Sequence, residues 1–287
     1  MCDDDIHQGM VEDPRVSRRT FGLITVAAAG VASSALAQST AVEKDVEIKT
    51  PDGVCDAVLF HPPGKGKWPA VLFWTDIMGL RPAYREMGRR MADQGYVVLI
   101  PNPFYRSKHA PVVTGPVDLN DPAQRKVLFA YRDAMSDDGI DKDAAAYVAF
   151  LDAQPQTDKS KKAGVQGYCM GGVLSFRTAA VMSNRIAAVA CCHPGNTLVT
   201  KEADSPHLLL PKIKASFMIA QAQNDDMAQP AAKDLLKAAF EAAKRPATVE
   251  VYPANHGWSV KGAAVYNEAA AEHAWTEITK LYKAQLV

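Results

Sequence analysis

Residues 167–172 read GYCMGG, one cysteine among three glycines, after the stretch AGVQGY (163–168) and before a run with helical spacing. In the pattern G-x-S-x-G the middle residue is a nucleophile on a sharp strand-to-helix turn, and the glycines are there because side chains would collide at that turn. Cys169 stands where the serine would. Such a turn needs a strand before it, a helix after it and catalytic partners elsewhere in the chain.

Upstream, VEIKT (46–50) and VCDAVLF (54–60), separated by Pro51-Asp52-Gly53, read as two strands joined by a tight turn. AVLFW (70–74) and YVVLIP (96–101) are continuous apolar runs, as expected of strands buried on both faces. Between them, residues 82–94 have helical spacing, with Met87, Met91 and Ala92 inward and Gly95 closing the run. Residues 102–135 form a polar excursion with aromatic anchors and no strong period. Such excursions from an α/β core often shape a binding site. A helix is expected over 138–153, the strand delivering Cys169 over 163–168, and the elbow helix from Gly171 to about Met182. AAVACC (187–192), ASFMIAQ (215–221) and ATVEVYP (247–253) read as strands, with helices over 230–244 and 264–284. Strands alternating with helices predict an α/β fold whose mostly parallel sheet carries helices on both faces. In such sheets function gathers at the carboxyl ends of the strands.

The 287-residue chain is 48% hydrophobic and 22% charged with zero formal net charge, so nothing in its composition announces a nucleic-acid or anionic-membrane partner. The first forty residues differ from the rest. A polar, acidic start is followed by Arg18-Arg19, an Ala-rich apolar run of about 14 residues, too short for a permanent membrane anchor, and the triplet Ala35-Leu36-Ala37. This resembles a twin-arginine export signal cleaved near Ala37, leaving one domain over 38–287 and implying a periplasmic or otherwise exported protein that meets the twin-arginine export machinery. A flexible leader with a chance Arg pair is the alternative. Cys2 would leave with the leader, and Cys55, Cys191 and Cys192 read as small core residues rather than disulfide partners.

Three residues follow the order nucleophile, acid, histidine: Cys169, Asp225 in AQNDDMAQP and His256 in PANHGW, each after a predicted buried strand. A thiol needs an imidazole to take its proton, and the imidazole needs a carboxylate to fix its tautomer. Asp226 competes with Asp225 for the acid's place, and either aspartate is also a natural helix cap.

On these residues the chain resembles the dienelactone hydrolase family, whose elbow has the form Gly-x-Cys-x-Gly-Gly. The resemblance covers nearly all of the chain after the leader. It implies an α/β-hydrolase fold, a Cys-Asp-His triad, no metal or organic cofactor, and hydrolysis of a small ester or lactone such as the enol-lactones of chlorocatechol degradation. It also implies that Asp76, in Asp76-Ile77-Met78-Gly79, tunes the thiol, although this aspartate is equally a turn former. The oxyanion donors of the fold would be the backbone N–H groups of Ile77 and Met170. Arg106 falls where a carboxylate-binding arginine is expected, or is a solvated surface arginine. The family's second arginine is replaced here by Val260, with Lys261 one place later. Tyr105, Phe104 and Trp258 are candidate pocket walls with core packing as the alternative, and His193 is a candidate at the same mouth. The rival readings are a broad carboxylesterase or thioesterase, and a noncatalytic thiol-bearing protein of the same fold.

Overall fold

The computed structural model describes residues 39–115 and 117–287. The expected leader and Cys2 lie outside the described residues. Among those described, no helix is long and apolar enough to cross a membrane.

Among the described residues, one eight-stranded sheet has the order β1-β2-β4-β3-β5-β6-β7-β8. Strands β1 (Val42–Thr50) and β2 (Gly53–His61) form the expected hairpin at one edge, turning through Asp52-Gly53 with Gly53 at φ 148°. The β1–β2 hairpin and the pairing of β2 with β4 (Val97–Pro101) are antiparallel, and the remaining pairings are parallel. The parallel part comprises β3 (Ala70–Trp74), β5 (Ala163–Tyr168), β6 (Ile186–Cys192), β7 (Ser216–Ala222) and β8 (Ala247–Tyr252) with β4. The fold is α/β, as the alternation of periods predicts.

Side-chain alternation divides the core between the two faces. Leu72, Trp74, Leu99 and Val165 join one layer with Tyr147, Phe176 and Phe240. These last three come from helices α3 (Asp137–Ala153), α4 (Gly171–Val181) and α6 (Ala232–Ala242). Val71, Phe73, Val98 and Ile100 join the opposite layer with Tyr84 and Met91 of α1 (Pro82–Asp93) and Trp275 and Tyr282 of α7 (Glu268–Leu286). Cys191 and Cys192 fall into different layers, as adjacent strand residues must. All four described cysteines are free and buried.

The excursion after β4 contains an element the periodicity does not announce, helix α2 (Pro122–Asp133). Asp121 caps it by accepting from Ala123 N–H at 2.8 Å, and Pro122 opens it. Only Leu128 and Phe129 of this helix are buried, too few to print a clear apolar stripe. Together with Ile77, Met78, Phe104, Val112, Val117 and Leu119, they form a third apolar cluster that includes Cys169. The excursion therefore packs over the cysteine end of the sheet. A short helix α5 (Gln223–Ala228) follows β7.

Strand order reverses beside β3: the chain runs from β3 to β4 on one side and returns to β5 on the other. That switch point opens a crevice at the carboxyl ends of β3 and β5.

Candidate active site

Steric constraint at the elbow is severe. A Cβ added at Gly167 would lie 1.9 Å from the carbonyl oxygen of Gly171, one at Gly171 would lie 2.6 Å from Trp74 O, and one at Gly172 would lie 2.7 Å from Pro194 Cβ. Strand β5, helix α4 and their neighbours thus meet at backbone contact. Cys169 itself has φ 54°, left-handed and strained for a residue with a side chain. Its N–H donates to Cys192 O at 3.1 Å, while its carbonyl accepts from Gly172 N–H at 3.0 Å. The thiol is thereby held at the start of α4, where the helix dipole favours negative charge.

Residues from six segments line one cleft of about 670 Å³, including Ile77, Cys169, Met170, Asp225 and His256. Asp225 Oδ2 lies 2.7 Å from His256 Nδ1, with both groups buried. Asp226 turns the other way and pairs with Lys233 Nζ at 2.8 Å. Two further bonds fasten the acid's loop to the histidine's loop: Gln223 N–H to Ala254 O at 3.0 Å, and His256 N–H to Asn224 Oδ1 at 2.7 Å. Gly195 lies beside the ring in a left-handed conformation (φ 65°) that favours glycine.

His256 Nε2 is buried without a partner in hydrogen-bond geometry among the described residues, yet Cys169 is close enough to act on the ring electrostatically. Burial disfavours charge on the imidazole, but negative charge at Cys169 and on Asp225 outweighs it and raises the His256 pKa to about 10. Burial pushes Cys55 and Cys192 up to about 12 and Cys191 well above the ordinary value.

The N–H groups of Ile77 and Met170 donate to no backbone carbonyl among the described residues. Both residues face the cleft. Around them the walls are largely apolar, with Met135, Ile140, Val173, Leu174 and Val199, and the rim carries Arg132, Lys201 and Glu202. The lining from Met135 and from the Pro194–Glu202 loop is not visible in the sequence, because neither segment carries a motif. Among the described residues no cluster of histidine, cysteine or carboxylate side chains is arranged to hold a metal ion.

Several expected site residues are placed elsewhere. Arg106 binds Asp143 (2.7 and 2.9 Å) and Asp52 (2.7 Å), lies over the Tyr105 ring at 4.6 Å, and does not reach the cleft. Tyr105 is equally engaged, with its hydroxyl bonded to Thr50 and Asp143. Trp258 is wholly buried and stacked on Tyr252 at 4.9 Å. These three are packing and ion-pair residues: buried Asp143 holds Arg106 and Tyr105 from a distant helix, and Trp258 packs on Tyr252 just before it in the chain. Asp76 also has its carboxylate occupied: Arg81 grips it at 2.6 and 2.7 Å, and it accepts from Met78 N–H at 2.9 Å. This bidentate pair, with Arg81 unmarked by any sequence signal, fastens the loop that carries Ile77. No hydrogen bond joins Asp76 to Cys169 among the described residues. His193 lies behind the cleft wall, fully buried beside His256.

Comparison with known sequences is decisive on one point: the profile of the dienelactone hydrolase family matches residues 55–286. The chain belongs to the dienelactone hydrolase family. A carboxymethylenebutenolidase of Pseudomonas sp. (strain P51) is 32% identical over 199 residues, covering 69% of this chain and 76% of the relative. Another carboxymethylenebutenolidase, from Rhodococcus opacus, is 26% identical over 225 residues, covering 77% and 83%. Among solved structures, a dienelactone hydrolase-like promiscuous phosphotriesterase from metagenomic libraries superposes with a TM-score of 0.70 at 19% identity, covering 86% of this chain and all of that one. The fold is accordingly of the α/β-hydrolase type, and the family marks the chain as a hydrolase.

The raised His256 pKa has a consequence for stability. A group that holds its proton more tightly when folded stabilises fully below its unfolded pKa, near 6.5, and that contribution disappears as pH rises through about 10. In urea titrations from pH 6 to 10.5, the stability difference between the wild type and His256→Asn is expected to shift against the wild type over that window. A difference constant with pH would contradict a protonated His256.

Proposed function

We propose that the protein hydrolyses a small ester or lactone through a covalent thioester on Cys169. The observation that carries this reading is the short, buried Asp225–His256 bond at 2.7 Å, facing the same cleft as the strained cysteine. The Cys169 thiolate attacks the carbonyl carbon, and the carbonyl π pair moves onto oxygen, where the N–H groups of Ile77 and Met170 receive it. As the oxyanion collapses, the bond to the alkoxide breaks and the His256 imidazolium gives that oxygen its proton. Water then attacks the thioester, neutral His256 takes its proton, and the thiolate leaves as the carboxylic acid forms. Asp225 keeps the Nδ1 proton in place, so that Nε2 is the nitrogen that exchanges. Membership of the family and the carboxymethylenebutenolidase relatives support the reaction class. The twin-arginine-like leader adds the expectation of an enzyme exported after folding.

A second reading concerns breadth. Arg106 is consumed by two aspartates, and Val260, standing where the family resemblance calls for a second arginine, is buried. Both observations favour neutral, apolar acyl groups over carboxylate-bearing lactones, as in a broad carboxylesterase.

Cys169→Ala is expected to lower turnover by about 10⁴-fold or more and Asp225→Asn by about 10³–10⁴-fold. Cys191→Ala should retain wild-type turnover per folded molecule. Equal activity in the two cysteine variants would end the proposal. For the breadth of the site, kcat/KM for a neutral aryl ester should exceed that for dienelactone; the reverse order would favour the narrower assignment.

A further inference from the structure

His193 follows β6 directly, in a left-handed backbone conformation (φ 39°) that non-glycine residues rarely adopt. Its N–H donates to Ala220 O of β7 at 2.7 Å, and the carbonyl before it, Cys192 O, accepts from Cys169 N–H. Its side chain is fully buried, with Nε2 2.7 Å from Ser259 Oγ. Ser259 lies three residues after His256 on the same loop. The His193 ring stands edge-on to His256 (centroids 5.1 Å apart, planes at 63°) and to Trp258 (5.5 Å, 78°), and tilted against Tyr168 (6.2 Å). Residues 192 and 193 therefore connect the elbow, β7 and the histidine loop within two peptide units.

We propose that His193 is a positioning residue: its bond to Ser259 and its edge-on contact with the imidazole fix the plane of His256 relative to Cys169. The inference rests on the Cys169–His256 relay proposed above. An imidazole anchored at Nδ1 alone can pivot about that hydrogen bond, and pivoting carries Nε2 away from the sulfur. Contact on a second side of the ring removes that freedom. Such restraint matters because misplacement by about 1 Å can cost roughly 10²-fold in rate. Charge is consistent with this role. The groups around His193 are Tyr168, His256, Trp258 and Ser259 in contact, with the Arg81 guanidinium acting by its charge. Burial first, then His256 and Arg81, hold His193 well below the ordinary histidine pKa, so it stays neutral beside an imidazolium.

The test is iodoacetamide labelling of the full chain from pH 5 to 9, with the rate at Cys169 read by peptide mass spectrometry and folding followed by Tm. His256→Asn should cut labelling at pH 6 about 100-fold, reporting loss of the imidazolium that sustains a thiolate there. Ser259→Ala, which removes only a hydroxyl, and His193→Asn, which tolerates the left-handed backbone, should each cut it about 10-fold at pH 6 and much less at pH 9. If His256→Asn slows labelling at pH 6 while Ser259→Ala and His193→Asn do not, the positioning role fails and the relay stands. If His256→Asn has no effect, the relay fails and the inference with it. An equal loss at every pH accompanied by a lower Tm would reduce His193 to packing and also overturn the proposal.

Discussion

The whole site depends on a contact with no room in it: Gly167 and Gly171 approach so closely that one added carbon would sit 1.9 Å from a carbonyl oxygen. Because strand β5 and helix α4 meet at backbone distance, the residue between them is forced into φ 54°, and its side chain projects at the carboxyl end of the sheet. Strand reversal opens a crevice at that place. The elbow also packs on the end of β3, through Gly171 against Trp74 O and Thr75 O, which brings the Ile77 loop beside the thiol. The positions of the proposed nucleophile, the proposed oxyanion donors and the cleft thus follow from one steric constraint.

A neighbouring imidazole then distinguishes this thiol from its companions. Cys55, Cys191 and Cys192 are buried, and burial raises their pKa values. Among the described cysteines, Cys169 alone faces an imidazole whose other nitrogen is held by a buried carboxylate. The loops bearing these groups are cross-linked by backbone and side-chain bonds, Gln223 to Ala254 and Asn224 to His256, which hold the acid and the ring together. Arg81 performs a comparable service on the opposite wall, binding Asp76 and steadying the turn before α1.

Much of this is legible in the sequence, and for identifiable reasons. The glycines around Cys169 betray close backbone approach, buried parallel strands appear as unbroken apolar runs, and the chain order of Cys169, Asp225 and His256 fits strand-end loops. Helix α2 escapes the periodicity because only two of its residues are buried, although Asp121-Pro122 is a proper helix-start signal. The choice between Asp225 and Asp226 is invisible in sequence, since two adjacent residues on a short helix diverge and only packing decides which faces the ring. Arg106, Tyr105 and Trp258 mislead for a different reason: their partners Asp143, Thr50 and Tyr252 are distant in the chain or unmarked by it, so no local pattern reveals that these side chains are already engaged. Arg81, His193 and Ser259 act through other residues, and such roles leave no motif.

On this account Cys169 carries the acyl group between the two halves of the reaction. Rapid acid quenching of the protein during turnover of an aryl ester, followed by peptide mass spectrometry, tests that claim directly. The peptide containing Cys169 should gain the mass of the acyl group, with Cys55, Cys191 and Cys192 unmodified. Turnover with no acylated Cys169 at any quench time, or acyl mass on another residue, would contradict it.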